Sequence, residues 1–361
     1  MSGRLLRLAC TTVAAAQAVL VPVPAAATPD PAPDPQRSVA DLLTDLQQLY
    51  RRTERATETY NAVTEKLERQ RAEVARLDGE LARARLTLQG SRTEAGRLAR
   101  QQYQGSGGLG PYVRVLLAPD PQHALDEGHV LGELARERAR TVDRLTAAEQ
   151  RKDALARAAR KALDTQLSLA ARQKRQRDDV QGKLADVERL LAGLTPDRLA
   201  AVARLEQQGV TAAQQRLTTA GALPADRAAT PAGERAVRYA LDQVGKPYQW
   251  GAQGPDAYDC SGLTSQAWSH AGTPIPRTSQ EQWDRLGRVP LNRLRPGDLV
   301  VYFPEATHVA MYVGGGKVVQ APRPGEKVTV SPIASFPVLG AVRPGTAGTV
   351  GTRGDGPVRP R

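Results

Sequence analysis

The chain has 361 residues, enough for two or three domains, and its 50 lysines and arginines outnumber its 38 aspartates and glutamates to give a net charge of +12. This balance excludes an acidic, solvating protein and favours an anionic neighbour. With only two cysteines, Cys10 and Cys260, a disulfide-built scaffold is also excluded. All three tryptophans and both phenylalanines lie beyond residue 233, which predicts a compact core near the C-terminus rather than one large core.

The N-terminus has the pattern of a secretory signal peptide over residues 1–27. Arg4 and Arg7 precede an apolar stretch, and Ala25–Ala27 supplies small residues for cleavage. The alternative is a short membrane anchor, but prolines interrupt the stretch and it falls short of the ~20 apolar residues that a spanning helix needs. We therefore expect a secreted protein. Cleavage would leave one cysteine, at position 260, as an intermolecular bridge, an accident or a reactive group.

Residues 38–218 follow a proline-rich linker at 28–37 and are predicted to form a coiled-coil helical hairpin. A 3-4 spacing of apolar residues persists for about nine heptads, which is typical of paired helices. A glycine-rich segment at 105–126 separates two helical stretches, either as a simple connection or as a docking tip for a partner. The second stretch has a weaker pattern and is expected to break at Pro196. The first seam includes Leu42, Leu46, Ala56, Val63, Leu67, Leu77, Leu81, Ala84 and Leu88.

The composition changes again after the helical region. Residues 219–233 are rich in Thr, Ala, Gly and Pro and are predicted to be a second linker. Residues 234–343 combine the aromatic residues with β-branched runs bounded by glycine and proline, which predicts one compact α+β domain. The basic segment 344–361 is expected to be a disordered tail.

Cys260 is the first candidate for chemistry. Asp259 is a good helix N-cap, which would place the thiol on the first turn of a helix that runs to about His270. A helix N-terminus favours the thiolate, and only the thiolate attacks. The alternative is a small buried apolar residue, which is how most free cysteines behave.

A β-hairpin supplies the candidate base. With its turn centred on Gly314, the hairpin would place His308 directly opposite Gln320 on one face. The amide oxygen could then fix the imidazole orientation and leave the other ring nitrogen free to accept a thiol proton. Taken alone, both could be ordinary surface residues. The other histidine of the domain, His270, is explained by its place at a helix C-terminus.

Five segments of the compact domain carry a family resemblance: Gly245–Gly251, Asp259–Leu263, Pro276–Ser279, Arg295–Val300 and His308–Gly314. In this order they resemble an NlpC/P60 domain, the papain-like cysteine peptidase module of bacterial cell-wall hydrolases. The resemblance implies an antiparallel sheet packed on helices and needs no metal or other cofactor. It makes Cys260 the nucleophile, His308 the base and Gln320, at a position where the family commonly has histidine, the third polar residue. Tyr248 would lie beside the thiol, and Asp259, Ser261 and Arg277 would line the pocket for the stem peptide.

The whole layout is similar to that of secreted actinobacterial wall hydrolases that act in cell separation. In such relatives the helical arm restrains the peptidase domain or contacts a membrane-protein activator. The implied function is a secreted peptidoglycan endopeptidase at the cell wall, cutting stem peptides after D-glutamate, with no nucleic-acid partner. The alternatives are a non-catalytic wall-binding adaptor that activates another hydrolase and a different acyl transfer on the same fold. The peptidase hypothesis requires the thiol to meet the imidazole and a groove to lead to the sulfur.

Overall fold

The computed structural model describes residues 37–105, 113, 115, 120–223 and 227–347. The predicted signal peptide, nearly all of the linker at 28–37 and much of the glycine-rich tip lie outside these residues. Helix α1 (Val39–Gly105) and helix α2 (Pro121–Ala192) pack against each other along their lengths and form the predicted hairpin. Within the described ranges, no helix combines the length and apolar character that a membrane span requires.

The hairpin is held by small apolar clusters along the seam. One cluster contains Leu42, Leu46 and Val187, and another contains Leu77 and Leu81 with alanines of α2. Between these clusters Val63, Leu67 and Val180 are also buried, whereas several other large apolar side chains of α2 are exposed. The two helices therefore pair along a long, narrow contact. Most of the buried aromatic residues lie in the compact domain that follows.

Helix α3 (Pro196–Thr219) follows a break at the predicted proline. Thr195 caps its N-terminus by accepting a hydrogen bond from the backbone of Arg198. The helix packs against α1 and against the compact domain, where Glu206 forms a two-pronged ion pair with Arg323 at 2.8 and 2.9 Å. The α3 side chain of Gln214 also bonds two backbone groups of that domain. This helix therefore fastens the base of the arm to the domain.

The compact domain combines short helices with a six-stranded antiparallel sheet, the α+β architecture expected from the sequence. The helices of the domain are α4 (Pro231–Leu241), α5 (Cys260–His270) and α6 (Ser279–Arg285). The strands are β1 (Leu286–Val289), β2 (Leu299–Tyr302), β3 (His308–Gly314), β4 (Lys317–Gln320), β5 (Thr329–Pro332) and β6 (Val338–Ala347). Their order across the sheet is β1-β6-β2-β3-β4-β5.

Two apolar layers cover the sheet. On one face, α4 packs through Ala236 and Ala240, and α5 through Leu263 and Trp268, against the strands. The other face holds Tyr302 and Ile333 and is covered in part by Leu217 at the end of α3. Strand β6 continues four residues into the segment predicted to be a disordered tail, because its pairing with β1 supplies backbone hydrogen-bond partners there. The residues after 347 are outside the description.

Gly262 lies where α5 approaches a neighbouring loop. A Cβ at this position would collide with the backbone oxygen of Ala252 and lie 2.8 Å from Asp259 Oδ1. We expect Gly262→Ala to lower the free energy of unfolding by about 1–3 kcal/mol through overpacking, measured by urea denaturation. Gly90→Ala is the control, because a Cβ there meets open space in the middle of α1 and should be neutral or stabilising. Equal stability of the two variants would contradict the expected clash.

Candidate active site

Cys260 is the first residue of α5, as the capping pattern predicted. Asp259 is the N-cap, and its side chain accepts a hydrogen bond from the backbone N–H of Gly262. The first turn of a helix has backbone N–H groups without partners inside the helix, and Cys260 belongs to that turn. The chain therefore presents the sulfur at the positive end of a helix dipole.

Asp259 also binds a buried cation. Arg277 donates to both of its carboxylate oxygens, at 2.6 and 3.1 Å, and to Ser261 Oγ at 2.8 Å. The backbone N–H of Gly251 donates to the same carboxylate. Because Arg277 and Asp259 are both buried, this pair is protected from solvent screening. This ion pair forms the floor of the groove beside the thiol.

His308 is buried at the start of β3 and is oriented by two further side chains. Its Nε2 lies 2.7 Å from Gln320 Oε1, so the neutral ring carries its proton on Nε2. The Gln320 amide is itself oriented, since its Nε2 donates to Ser331 Oγ at 2.6 Å. This leaves Nδ1 as the ring nitrogen that can accept another proton.

The sequence placed the hairpin turn one position too early. The paired residues are Met311 with Val319 and Tyr312 with Val318, and an irregularity follows before the turn at Gly315 and Gly316. Continuing this register sets Gln320 diagonally from His308, not directly opposite. The expected hydrogen bond still forms because residues two apart on a strand share a face and long polar side chains reach across the diagonal.

The start of β3 lies against the start of α5. The two elements pack together, and the backbone N–H of Val309, the residue after His308, is close enough to the Cys260 sulfur to lower the pKa of the thiol slightly, against the larger effect of burial. The predicted nucleophile and the predicted base therefore come from separate elements to the same end of the domain. Tyr248 is buried in the same cluster as the thiol. Burial, followed by the neighbouring Cys260, raises the Tyr248 pKa well above its ordinary value.

Helix α1 fills the groove above the thiol. Glu58 Oε1 accepts a 2.7 Å hydrogen bond from Ser261 Oγ and lies 3.7 Å from Cys260 Sγ. Its other oxygen accepts the backbone N–H of Ser279 at 2.9 Å. Glu58 is only 2% exposed and the thiol 3%. The sequence predicted a groove open to the sulfur; here that groove is closed, by polar side chains of α1.

Two more α1 side chains reach the predicted site residues from neighbouring turns. Glu54 Oε1 lies 3.3 Å from His308 Nδ1, within ion-pair distance but not aligned as a hydrogen bond. Asn61 Nδ2 donates to Asp259 Oδ2 at 3.1 Å. At spacings of four and three residues, Glu54, Glu58 and Asn61 lie on one face of the helix. Thus one helix face contacts the base, the thiol and the capping carboxylate together.

This covering changes the electrostatics of the thiol. Burial first, and then the carboxylates of Glu58, Asp259 and Glu54, raise the Cys260 pKa well above its ordinary value. The sequence predicted that the helix N-terminus would favour the thiolate. That expectation is wrong for the covered site, because desolvation and three nearby anions outweigh the helix dipole. In the form described here the sulfur is a protonated thiol.

Comparison with known proteins assigns the compact domain. The profile of the NlpC/P60 family matches residues 245–338. Residues 245–338 form an NlpC/P60 domain. A probable endopeptidase of Corynebacterium glutamicum is 43% identical over 122 residues, which are 33% of this chain and 58% of that protein. The peptidoglycan endopeptidase RipA of Mycobacterium tuberculosis is 34% identical over 116 residues, covering 28% of this chain and 25% of RipA.

The solved NlpC/p60 domain of the peptidoglycan hydrolase SagA is 32% identical, covering 31% of this chain and 97% of that one, with a TM-score of 0.29. This chain spans little more than half of the corynebacterial relative and about a quarter of RipA. The similarity is therefore a similarity of the NlpC/P60 domain.

The NlpC/P60 domain brings all seven predicted site residues to one region. Cys260, His308 and Gln320 lie along the joined ends of α5, β3 and β4, and Tyr248 is packed beside the thiol. Arg277 was predicted to line a substrate pocket and instead lies buried beneath it, paired with Asp259. His270 is outside this region, stacked on Tyr239 at the end of α5.

Sequence patterns did not predict that Glu54, Glu58, Asn61 and Ser279 contribute to the site. Ser279 belongs to one of the five family segments, but it contributes its backbone N–H, and the residue type does not indicate that role. The three α1 residues lie between the apolar positions of the predicted seam, and the heptad pattern assigns them no contact. A signal was present, since the stretch Thr53–Asn61 contains short polar residues where a solvated helix face usually carries lysine and arginine.

Proposed function

We propose that this protein is a peptidoglycan endopeptidase that hydrolyses stem peptides by a cysteine mechanism. The observation that carries the proposal is the arrangement of Cys260 at a helix N-terminus beside a histidine whose Nε2 is held by Gln320. A wall-binding adaptor would need neither a thiol nor an oriented base. The endopeptidase names of the relatives support the same reaction class.

The first half of the reaction is acylation of Cys260. The thiol proton passes to Nδ1 of His308, and the sulfur attacks the peptide carbonyl carbon to form a tetrahedral intermediate. Its oxyanion is stabilised by the backbone N–H of Cys260, with the Tyr248 hydroxyl close by. His308 then donates the proton to the leaving amine, the C–N bond breaks and a thioester remains.

The second half is hydrolysis of the thioester. With the amine gone, His308 Nδ1 takes a proton from water, and the resulting hydroxide adds to the thioester carbon. Collapse of this intermediate breaks the C–S bond, and the proton returns to sulfur. Gln320 keeps Nε2 of His308 protonated throughout, because the hydrogen bond from its amide nitrogen to Ser331 Oγ holds its amide oxygen towards the ring. Every proton that moves therefore passes through Nδ1.

The proposed cleavage site is the bond between D-glutamate and the following diamino acid. The support lies in the groove itself, where a carboxylate from Glu58 is held by Ser261 Oγ and the Ser279 N–H next to the sulfur. Arg277 adds positive charge beneath this position. A substrate carboxylate placed there would bring its neighbouring carbonyl close to Cys260.

Export to the cell wall is part of the same proposal. It rests on the N-terminal sequence pattern and on peptidoglycan being the substrate that the relative RipA is named for. A membrane-protein activator that contacts the coiled coil stays a prediction. Because α1 fills the groove, we also propose that the arm restrains hydrolysis until it is displaced.

The nucleophile is tested by substitution. We expect Cys260→Ala and His308→Ala to lower release of peptides from purified peptidoglycan by roughly 10,000-fold or more, since members of a catalytic group act as a unit. His270→Ala removes the other histidine of the domain and should retain the parent rate. Products are identified by mass spectrometry, in the wild-type chain and in the chain carrying Glu54→Lys and Glu58→Lys. Cleavage by Cys260→Ala at the parent rate would exclude this mechanism.

A further inference from the structure

We propose that closure of α1 over the groove takes up a proton, so that the arm is held most firmly in acid and loosens as the pH rises towards neutrality. The inference rests on the proposed function only in treating the groove as the substrate site. It goes further by assigning the carboxyl group of Glu58 as the element that senses pH.

The covered groove contains more carboxylates than permanent cations. Glu54, Glu58 and Asp259 are each at most 4% exposed, and the buried cation among them is Arg277. Both terminal nitrogens of the Arg277 guanidinium donate to Asp259, at 2.6 and 3.1 Å. One cation is therefore committed to one carboxylate, and Glu58 has no cation bonded to it in the described contacts.

Glu58 is bound by neutral donors. Its oxygens accept from the Ser261 hydroxyl and the Ser279 N–H, with the thiol of Cys260 at 3.7 Å. Asp259 Oδ1 approaches the same Ser261 hydroxyl at 3.4 Å, so two carboxylates crowd around one donor. Burying a second anion at such a place is costly, and a proton on Glu58 removes that cost.

Other charged and titratable groups also lie near the face of α1 that covers the groove. They are Cys260 on α5, Asp259 at its N-cap, Arg277 and Tyr248 on the adjoining loops and His308 on β3. Tyr50 and Arg51 of α1 itself, with Arg323 and Glu206, lie around the cavity that Glu54 lines. The two arginines at that cavity lie on the Glu54 side, whereas Glu58 faces Asp259. The excess of negative charge is therefore centred on Glu58.

The ionisation of Glu58 agrees with this count. Burial first, and then the charge of Asp259, raise the Glu58 pKa to about 7 in the closed form, and Arg277 lowers it by less. When α1 leaves the groove, the carboxyl returns to water and to its ordinary pKa of about 4.3. The closed form therefore binds the proton more tightly than the open form.

The sign and the pH range follow from that difference. Below the pKa of the open form both states are protonated and closure is at its strongest. Between that value and about 7 the open form loses the proton first, so closure weakens by up to tenfold per pH unit. Above this range both forms are ionised and the dependence ends. The full change in the opening equilibrium is between about two and three orders of magnitude.

The experiment measures exposure of the Cys260 sulfur in the full-length chain. A dithiodipyridine reagent, which reacts with thiols even in acid, is added between pH 4.5 and 8.5, and mass spectrometry follows the peptide that contains Cys260. The rate for wild type is divided by the rate for Glu58→Gln at the same pH, which cancels the ionisation of the thiol in the open form. Glutamine keeps the shape of a protonated carboxyl and cannot ionise.

We expect this ratio to be near one at pH 4.5 and to rise about a hundredfold by pH 7.5. Glu68→Gln, which removes an exposed carboxylate from the same helix, should follow wild type at every pH. A ratio that stays constant with pH would overturn the proposal. Faster labelling of Glu58→Gln than of wild type at every pH would also overturn it, because Glu58 would then hold the arm as an anion.

A second measurement needs no variant. Hydrogen exchange of the wild-type peptide that spans residues 50–64, corrected for the intrinsic pH dependence of exchange, should show protection that falls over the same pH range. Unchanged protection would contradict the proposal even if Glu58→Gln failed to fold. Neither measurement uses hydrolysis, so the two proposals can fail separately. A chain that cleaves no peptidoglycan could still show the pH dependence of closure. A chain that cleaves peptidoglycan without this pH dependence would contradict only the role assigned to Glu58.

Discussion

Reversing the charges of Glu54 and Glu58 together should release α1 from the groove and raise peptidoglycan cleavage by roughly 10- to 1,000-fold. Lysine at these positions would bury two uncompensated cations, with Arg277 already below them. Leaving a charge buried without its partner typically costs about 3–5 kcal/mol, which corresponds to this upper limit. The covered state would no longer be favoured. The measurement is the initial rate of peptide release by the full-length chain.

The matched control is Glu68→Lys together with Glu73→Lys, which makes the same charge change on exposed positions of α1. This control should leave both cleavage and thiol labelling of Cys260 unchanged. If the Glu54/Glu58 variant showed faster thiol labelling without faster cleavage, α1 would cover the site but would not limit the reaction. If neither rate rose, these carboxylates would not hold the arm.

Loss of the buried cation should have the largest effect on stability. We expect Arg277→Leu to lower the free energy of unfolding by about 3–5 kcal/mol, because Asp259 would stay buried without its ion pair. Ser261 Oγ would lose a hydrogen bond from the same guanidinium. Urea denaturation followed by the tryptophan fluorescence of the compact domain measures the change.

Arg285→Leu provides the comparison. Its ion pair with Glu281 is exposed, and such pairs contribute about 0–1 kcal/mol. A second variant, Arg277→Lys, keeps the charge but cannot donate to both carboxylate oxygens in the same geometry, so it should fall between wild type and Arg277→Leu. If Arg277→Leu changed the free energy of unfolding by less than about 1 kcal/mol, water or protonation would be compensating the buried carboxylate of Asp259.

The sequence was most informative where local patterns determine structure. The capping residue Asp259 predicted the helix that presents Cys260, and the β-branched runs predicted the strands that carry His308 and Gln320. These features depend on neighbours in the chain. The exact register of the hairpin was missed because three consecutive glycines allow several turn geometries, and their sequence alone does not choose among them.

Contacts between distant segments could not be predicted in the same way. The hydrogen bond from Ser261 to Glu58 joins residues 203 positions apart. The heptad pattern identifies the α1 face that pairs with α2, but it gives no information about the other faces. Likewise, the position of Cys260 at a helix N-terminus predicted a lowered thiol pKa. The covering helix raises that pKa instead, because it removes water and adds negative charge.

Because α1 and the groove belong to one polypeptide, with α3 fastened to the domain by Glu206 and Arg323, a displaced arm stays tethered nearby. Its effective concentration at the groove is set by the connecting segments and is independent of how dilute the protein is. Dilution of the protein therefore cannot relieve inhibition of this kind. Dilution by tenfold should leave the specific activity unchanged, and lasting release at constant pH requires a competing ligand or a cut in the chain.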